Sequence, residues 1–165
     1  MAAGLSLPDE ESAELFRKKL NESCKLTEED FEEIVHIDVP MPLACADRNF
    51  INELSLLEPF GVGNPKPLFA RKGISLLFGR KIGKNKNVGK YQIADEYNNR
   101  YDMIYFGDLI KFDAFLMERF GRKPVERLYA DGIPSGEITI SMAYYPDLNS
   151  YGGRESIQIV MQHYC

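Results

Sequence analysis

The chain has 165 residues, 44% of them apolar and 27% charged, with a formal net charge of −5. That balance belongs to a folded globular protein rather than a disordered one, and no apolar run approaches the roughly 18 residues of a bilayer span. The cysteines (Cys24, Cys45, Cys165) are odd in number and isolated, and His36 and His163 stand far apart, which argues against a disulfide framework and a structural zinc site.

No export signal is legible at the N-terminus, so a cytoplasmic location is expected, with the cysteines as buried or half-buried thiols in a reducing cell. Residues 1–60 hold 5 Lys/Arg against 14 Asp/Glu, whereas residues 61–165 hold 15 against 11. A reversal of sign at one point suggests two units with different jobs. The expected division is therefore a helical segment and linker over 1–60 and a β domain over 61–165.

The acidic half reads as helices. Pro8 to about Glu22 places Leu15, Phe16 and Leu20 near one side, with Ser6 as N-cap and Asp9, Glu10 and Glu11 at the positive end of the dipole. Thr27-Glu28-Glu29-Asp30 opens a second helix in the manner of a capping box, with Asp in place of the usual Glu or Gln. Residues 35–39 read as a short strand stopped by Pro40 and Pro42. Asp47 caps a third helix carrying Phe50, Ile51, Leu54 and Leu57 at helical spacing. The carboxylates on these helices are read as solvated faces, because no histidine or further acid converges with them to hold a metal.

A proline-glycine elbow follows, from Glu58 to Phe69. It runs into the one strongly cationic stretch, where residues 61–90 carry eight Lys/Arg and no acid. A local field of that kind attracts polyanions even in an acidic chain. Gly61 and Gly63 invite a phosphate-loop reading, but Pro65 and Pro67 preclude the helix that would complete it.

Beyond the elbow the period changes to two. Strands are expected at 71–79 (Ile74, Leu76 and Phe78 on one face), 88–95, 100–106, 137–145 and 155–164, with a helix from Asp108 to about Phe120 between the third and fourth. Three strands, a helix and two strands is the order of an OB-fold, which binds single strands across strands two and three and through the flanking loops. The expected class is thus α+β: a five-stranded OB-fold β-barrel with a helix between strands 3 and 4, preceded by a small, mainly helical segment.

Here the loop between strands one and two, residues 80–87, is cationic, and the loop between strands four and five, residues 146–154, carries Tyr151 and Arg154. Cations that follow phosphates and rings that stack on bases suit single-stranded nucleic acid. The residues expected to contact phosphate are Lys66, Arg71, Arg80, Lys81, Lys84, Lys86 and Lys90, with Arg154 as a further cation. Tyr91, Tyr105 and Tyr151 are the expected stacking rings, although Tyr91, Tyr101 and Tyr105 fit a core equally well. The basic loop alone is also compatible with a solubilising turn.

The string Leu56-Leu57-Glu58-Pro59-Phe60-Gly61-Val62-Gly63-Asn64-Pro65-Lys66-Pro67-Leu68-Phe69 resembles bacterial RecJ, the single-stranded-DNA-specific exonuclease family, at the junction with its OB domain. Ala2-Ala3-Gly4 resembles the end of that family's DHH-associated motif, and residues 148–153 with 157–159 resemble its last hairpin. RecJ enzymes use Mn²⁺ or Mg²⁺ held by aspartates and histidines, including an Asp-His-His motif that this sequence lacks. The resemblance implies a C-terminal piece, itself inert and without a cofactor, that guides single-stranded DNA to a nuclease core. Around strand two only Lys90 matches the family's His-Leu-Lys. A rival role is a structural brace or a docking surface for the nuclease core or for single-strand-binding protein.

Overall fold

The computed structural model describes residues 4–27, 30, 34–130, 134, 136–151 and 153–165, and for Tyr151 and Arg154 it describes the backbone alone. The chain divides into two compact units, Met1–Ile34 and Val35–Cys165. That division precedes the expected one at residue 60, because residues 39–46 are built into the β domain.

In the first unit α1 spans Glu10–Ser23, with Asp9 as its N-cap. The Asp9 carboxylate accepts the Ser12 N–H at 2.7 Å, so Asp9 does the work assigned to Ser6 and Pro8 falls before the helix. Leu15 and Leu20 are exposed and α1 buries no residue. The Asp30 carboxylate accepts from the Thr27 N–H at 2.7 Å and from its hydroxyl at 3.1 Å, which is the backward half of a capping box. The rest of the expected second helix lies outside the described residues.

The second unit opens with β1, Val39–Pro40, a two-residue parallel partner of the first barrel strand. Pro40 is part of this strand rather than its stop. An edge strand tolerates proline because one side of it needs no N–H donor. Asp38 extends the pairing: its N–H donates to the Leu68 carbonyl and its carboxylate accepts the Leu68 N–H, both at 2.9 Å. Met41, Leu43 and Ala46 then enter the core, and the Tyr144 hydroxyl donates to the Met41 carbonyl at 2.9 Å. Helix α2, Arg48–Ser55, is capped by Asp47 as expected and packs Phe50 edge-on against Phe69 at 5.5 Å. In the elbow, Gly61 and Asn64 exchange backbone hydrogen bonds, and the Asn64 amide donates to the carbonyls of Leu57 and Pro59.

Five strands close the barrel: β2 Phe69–Ile82, β3 Val88–Ala94, β4 Arg100–Tyr105, β5 Ile138–Tyr151 and β6 Arg154–Tyr164. Their order is β2-β3-β4-β6-β5, and β5 pairs back onto β2. All these pairs are antiparallel except β4 with β6. This is the OB arrangement, a closed mixed barrel in an α+β chain. Helix α3, Leu109–Phe120, capped by Asp108, buries Leu109, Phe112 and Leu116. Helix α4, Arg122–Leu128, adds Val125 and Leu128. No described helix is long and apolar enough to cross a membrane.

Two expectations about the strands are corrected. The register of β2 shifts between Leu76 and Phe78, so Leu77 is buried and Phe78 turns outward, away from the face of Ile74 and Leu76. A bulge of one residue reverses every side chain after it. The expected loops are also mostly strand: β2 and β3 pair out to Ile82–Val88, and β5 and β6 out to Tyr151–Arg154. Both connections are therefore long two-stranded arms with short tips.

The β3–β4 turn is organised by Asp95, whose carboxylate accepts from the backbone of Tyr97 and Asn99, the Asn99 amide and the Tyr101 hydroxyl at 2.8–3.1 Å. Burial is the largest single influence and works against its ionisation, but the hydrogen bonds from Asn99, Tyr101 and Tyr97 together outweigh it and hold the carboxyl below its ordinary 3.8. A lowered folded-state pKa contributes stability at neutral pH that is lost as the pH falls through that lowered value. The Tyr97 and Asn99 amide resonances are therefore expected to titrate with a midpoint below 3.8, and Asp95→Ala to abolish that titration. A midpoint at or above 3.8 in an NMR series would contradict the arrangement.

Candidate nucleic-acid interface

The register across the barrel exterior assembles the site. Arg80 on β2 stands opposite Lys90 on β3, Lys90 opposite Ile104 on β4, Ile104 opposite Val160 on β6, and Val160 opposite Tyr145 on β5. Paired residues share a face, so this row runs from two cations through Ile104 and Val160, both buried, to a half-buried aromatic ring. Lys66 lies over that ring, with its Nζ 3.9 Å from the centroid. One step along, Phe78 stands opposite Gln92 and Gln92 opposite Asp102. Phe78, Arg80, Lys90 and Gln92 line an open depression together with Gly79, Tyr91 and Ala130.

The seven expected phosphate contacts divide into two groups. Lys66 pairs with Asp147 at 3.6 Å and Lys90 with Asp102 at 3.1 Å, while Arg71 pairs with Glu96 and Lys81 with Asp113. Arg80, Lys84 and Lys86 have no acidic partner among the described residues and are exposed. Lys84 and Lys86 stand on the tip of the β2–β3 arm, where Lys86 and Gly83 adopt positive φ, 51° and 89°. Of the seven, the three without such a partner all belong to the β2–β3 arm. The side chains of Tyr151 and Arg154 lie outside what the structure describes.

Tyr91 and Tyr105 are not on this face. They are 1% and 7% exposed and point into the barrel, where each packs its ring against Phe112. The Tyr91 and Tyr129 hydroxyls meet at 3.0 Å, and Tyr129 donates to Asp113 at 2.6 Å. Burial, ahead of every other influence, pushes the Tyr91 and Tyr129 phenols far above their ordinary value. The interior makes room for Tyr91 with glycines, since a Cβ on Gly89 would lie 2.5 Å from its ring and one on Gly79 2.9 Å. Rings at the surface include Phe78 and Tyr145, half-buried on the face, and Phe106 and Tyr97, largely exposed. None of these four was expected as a stacking ring. The one sequence signal for Phe78 is its parity with Arg80, which outlasts the bulge.

All three cysteines are exposed and unbonded rather than buried. Among the described residues no three His, Cys, Asp or Glu side chains converge to hold a metal.

The sequence model of the RecJ OB domain matches residues 37–163, most of the chain. The chain belongs to the RecJ OB domain family. The RecJ match includes β1 and α2 as well as the barrel, in keeping with the compact unit that starts at Val35. Over 108 residues the chain is 37% identical to the single-stranded-DNA-specific exonuclease RecJ of Bacillus subtilis, covering 64% of this chain and 14% of that protein. The chain thus spans a small part of the RecJ relative it matches. A crystal structure of RecJ in complex with Mg²⁺ from Thermus thermophilus aligns over 79% of this chain and 16% of that one, at 17% identity and TM-score 0.46. The mitochondrial single-stranded DNA binding protein Rim1 of S. cerevisiae aligns over 59% of this chain and 91% of its own, at 17% identity and TM-score 0.38.

Proposed function

We propose that this chain binds single-stranded DNA on the outer β2–β3–β4 face and guides it toward the metal-dependent core of a RecJ-like 5′→3′ exonuclease. The Mn²⁺ or Mg²⁺ of that activity belongs to the core, as do the bonds broken, and the protein acts in the cytoplasm. The observation that supports the reading is the β2–β3 arm of an OB barrel, which carries the unpaired Lys84 and Lys86 at its tip and the unpaired Arg80 opposite Lys90 and next to Phe78 at its base. Lys90 and Lys66 join them by exchanging a carboxylate for a phosphate. Their ion pairs are partly exposed, and such pairs hold by only about 0–1 kcal/mol.

Five contacts of this kind predict a salt slope near −3.5 for single strands, at about −0.7 per phosphate. Fluorescence anisotropy of a labelled oligonucleotide across a salt series measures it. A slope near zero would contradict phosphate-led binding. Docking to the nuclease core or to single-strand-binding protein is a second role, favoured by the exposed Leu56, Leu57 and Val62 on α2's end and the elbow.

A further inference from the structure

We infer that the Phe78–Gln92–Asp102 row is a base-reading subsite, in which Phe78 stacks on one nucleobase and Asp102 selects for bases that present an amino group. The inference rests on the binding reading above and deepens it. Phe78, Gln92 and Asp102 occupy one register row on three adjacent strands. Arg80 and Lys90 occupy the next row, two residues along, a step of about 7 Å. A nucleotide whose phosphate sits on the Arg80–Lys90 row lays its base across the Phe78 row.

Direction is set by charge. The cations lie at the Arg80 side, and the carboxylate of Asp102 is half-exposed at the far end of the Phe78 row, 3.1 Å from Lys90 Nζ. A phosphate is repelled there, whereas a base is not. When a phosphate draws Lys90 away, the Asp102 carboxylate is left with open acceptor positions and no donor of its own. The exocyclic amino group of cytosine or adenine satisfies it. Thymine offers a carbonyl at the corresponding position and is disfavoured, in the same way that an acid reads cytosine in duplex DNA. Gln92, between them, both donates and accepts, so it tolerates either base.

The sequence contains no tryptophan, which makes Phe78→Trp a single fluorescent reporter. Its emission is expected to be quenched on addition of oligo-dC, with the same midpoint as anisotropy reports. Wild type is expected to bind oligo-dC more tightly than oligo-dT of equal length, and Asp102→Asn to tighten oligo-dT binding and narrow that ratio. Phe78→Leu, which keeps an apolar group and so the fold, is expected to weaken binding about tenfold, the effect of one stacked base, with the salt slope unchanged. Unquenched emission while anisotropy reports saturation would overturn the stacking assignment. A dC to dT ratio unmoved by Asp102→Asn would overturn the selection. In both cases salt-sensitive binding would persist, whereas failure of the binding reading itself would abolish binding of wild type at low salt.

Discussion

Reversing Arg80, Lys84 and Lys86 together to glutamate is expected to lower affinity for a single-stranded oligonucleotide on the order of a hundredfold or more at low salt. These are cationic side chains of the β2–β3 edge with no acidic partner among the described residues, so their whole charge is available to phosphate. Removing three of five contacts lowers the salt slope from about −3.5 to about −1.4, and the three new carboxylates add repulsion of the polyanion. The fold does not depend on them: none is buried, and exposed substitutions of this kind stay within about 0.5 kcal/mol. Lys111→Glu with Lys123→Glu, on α3 and α4, is the control, a change of −4 in net charge against −6 for the edge variant. Both are exposed, and their reversal changes net charge without touching the edge, so affinity is expected to stay within a few-fold of wild type. Equal losses from the two sets, measured by anisotropy at about 50 and 200 mM salt, would mean that general charge and not this edge governs binding.

The barrel's order was legible because its strands alternate cleanly. Tyr91 and Ile93 against Lys90 and Gln92, and Ile138 through Tyr144, have a period no helix shares, and the helix between strands 3 and 4 announces itself with Asp108 and its apolar side. The same alternation argued that Tyr91 shares a face with Ile93, so its expected place on the DNA surface was in tension with the pattern that defined the strand. What resisted reading was anything that departs from local periodicity. The shift between Leu76 and Phe78 has no composition of its own, since it is chosen by closure of the barrel. It moved Phe78 to the face and Leu77 into the core. The arms past Arg80 and Pro146 are rich in Lys, Asn, Asp and Ser, residues that signal turns, yet the partner strand carries them on as ladder. Helix α4 was missed because it is seven residues long, follows Gly121 and contains Pro124. Proline is tolerated there because the first N–H groups of a helix have no intrahelical partner. The ion pairs that split the cations into held and free join residues as far apart as Arg71 with Glu96 and Lys66 with Asp147, and only the folded register brings them together.

Phe112→Ala is expected to cost about 3–5 kcal/mol, the usual range for a buried phenylalanine, and to lower Tm by about 10 °C for a domain of this size. The reason lies in what the ring holds together. Phe112 is fully buried and meets Tyr105 at 5.4 Å, Tyr91 at 5.7 Å and Tyr164 at 4.7 Å between ring centroids. These come from β4, β3 and β6, so one side chain of α3 ties three barrel strands to the helix. Its loss leaves a cavity whose walls are rings already fixed elsewhere. Tyr91 is confined by Gly79 and Gly89 and bonded to Tyr129, and Tyr164 is packed against Phe115 at 4.9 Å. Walls that cannot collapse put the cost at the upper end of the range. Phe112→Leu, which refills most of the space, is expected to recover more than half of the loss. The effect also reaches the DNA face. Tyr91 lies between Lys90 and Gln92 on β3, so loosening it blurs the register of both outer rows. DNA affinity of Phe112→Ala is expected to fall while its salt slope stays near wild type, because the cations remain and only their alignment with Phe78 is lost. Chemical denaturation of the three proteins, followed by the oligonucleotide titration, tests both links. A loss below about 1 kcal/mol would show that α3 merely covers the barrel end instead of bracing it.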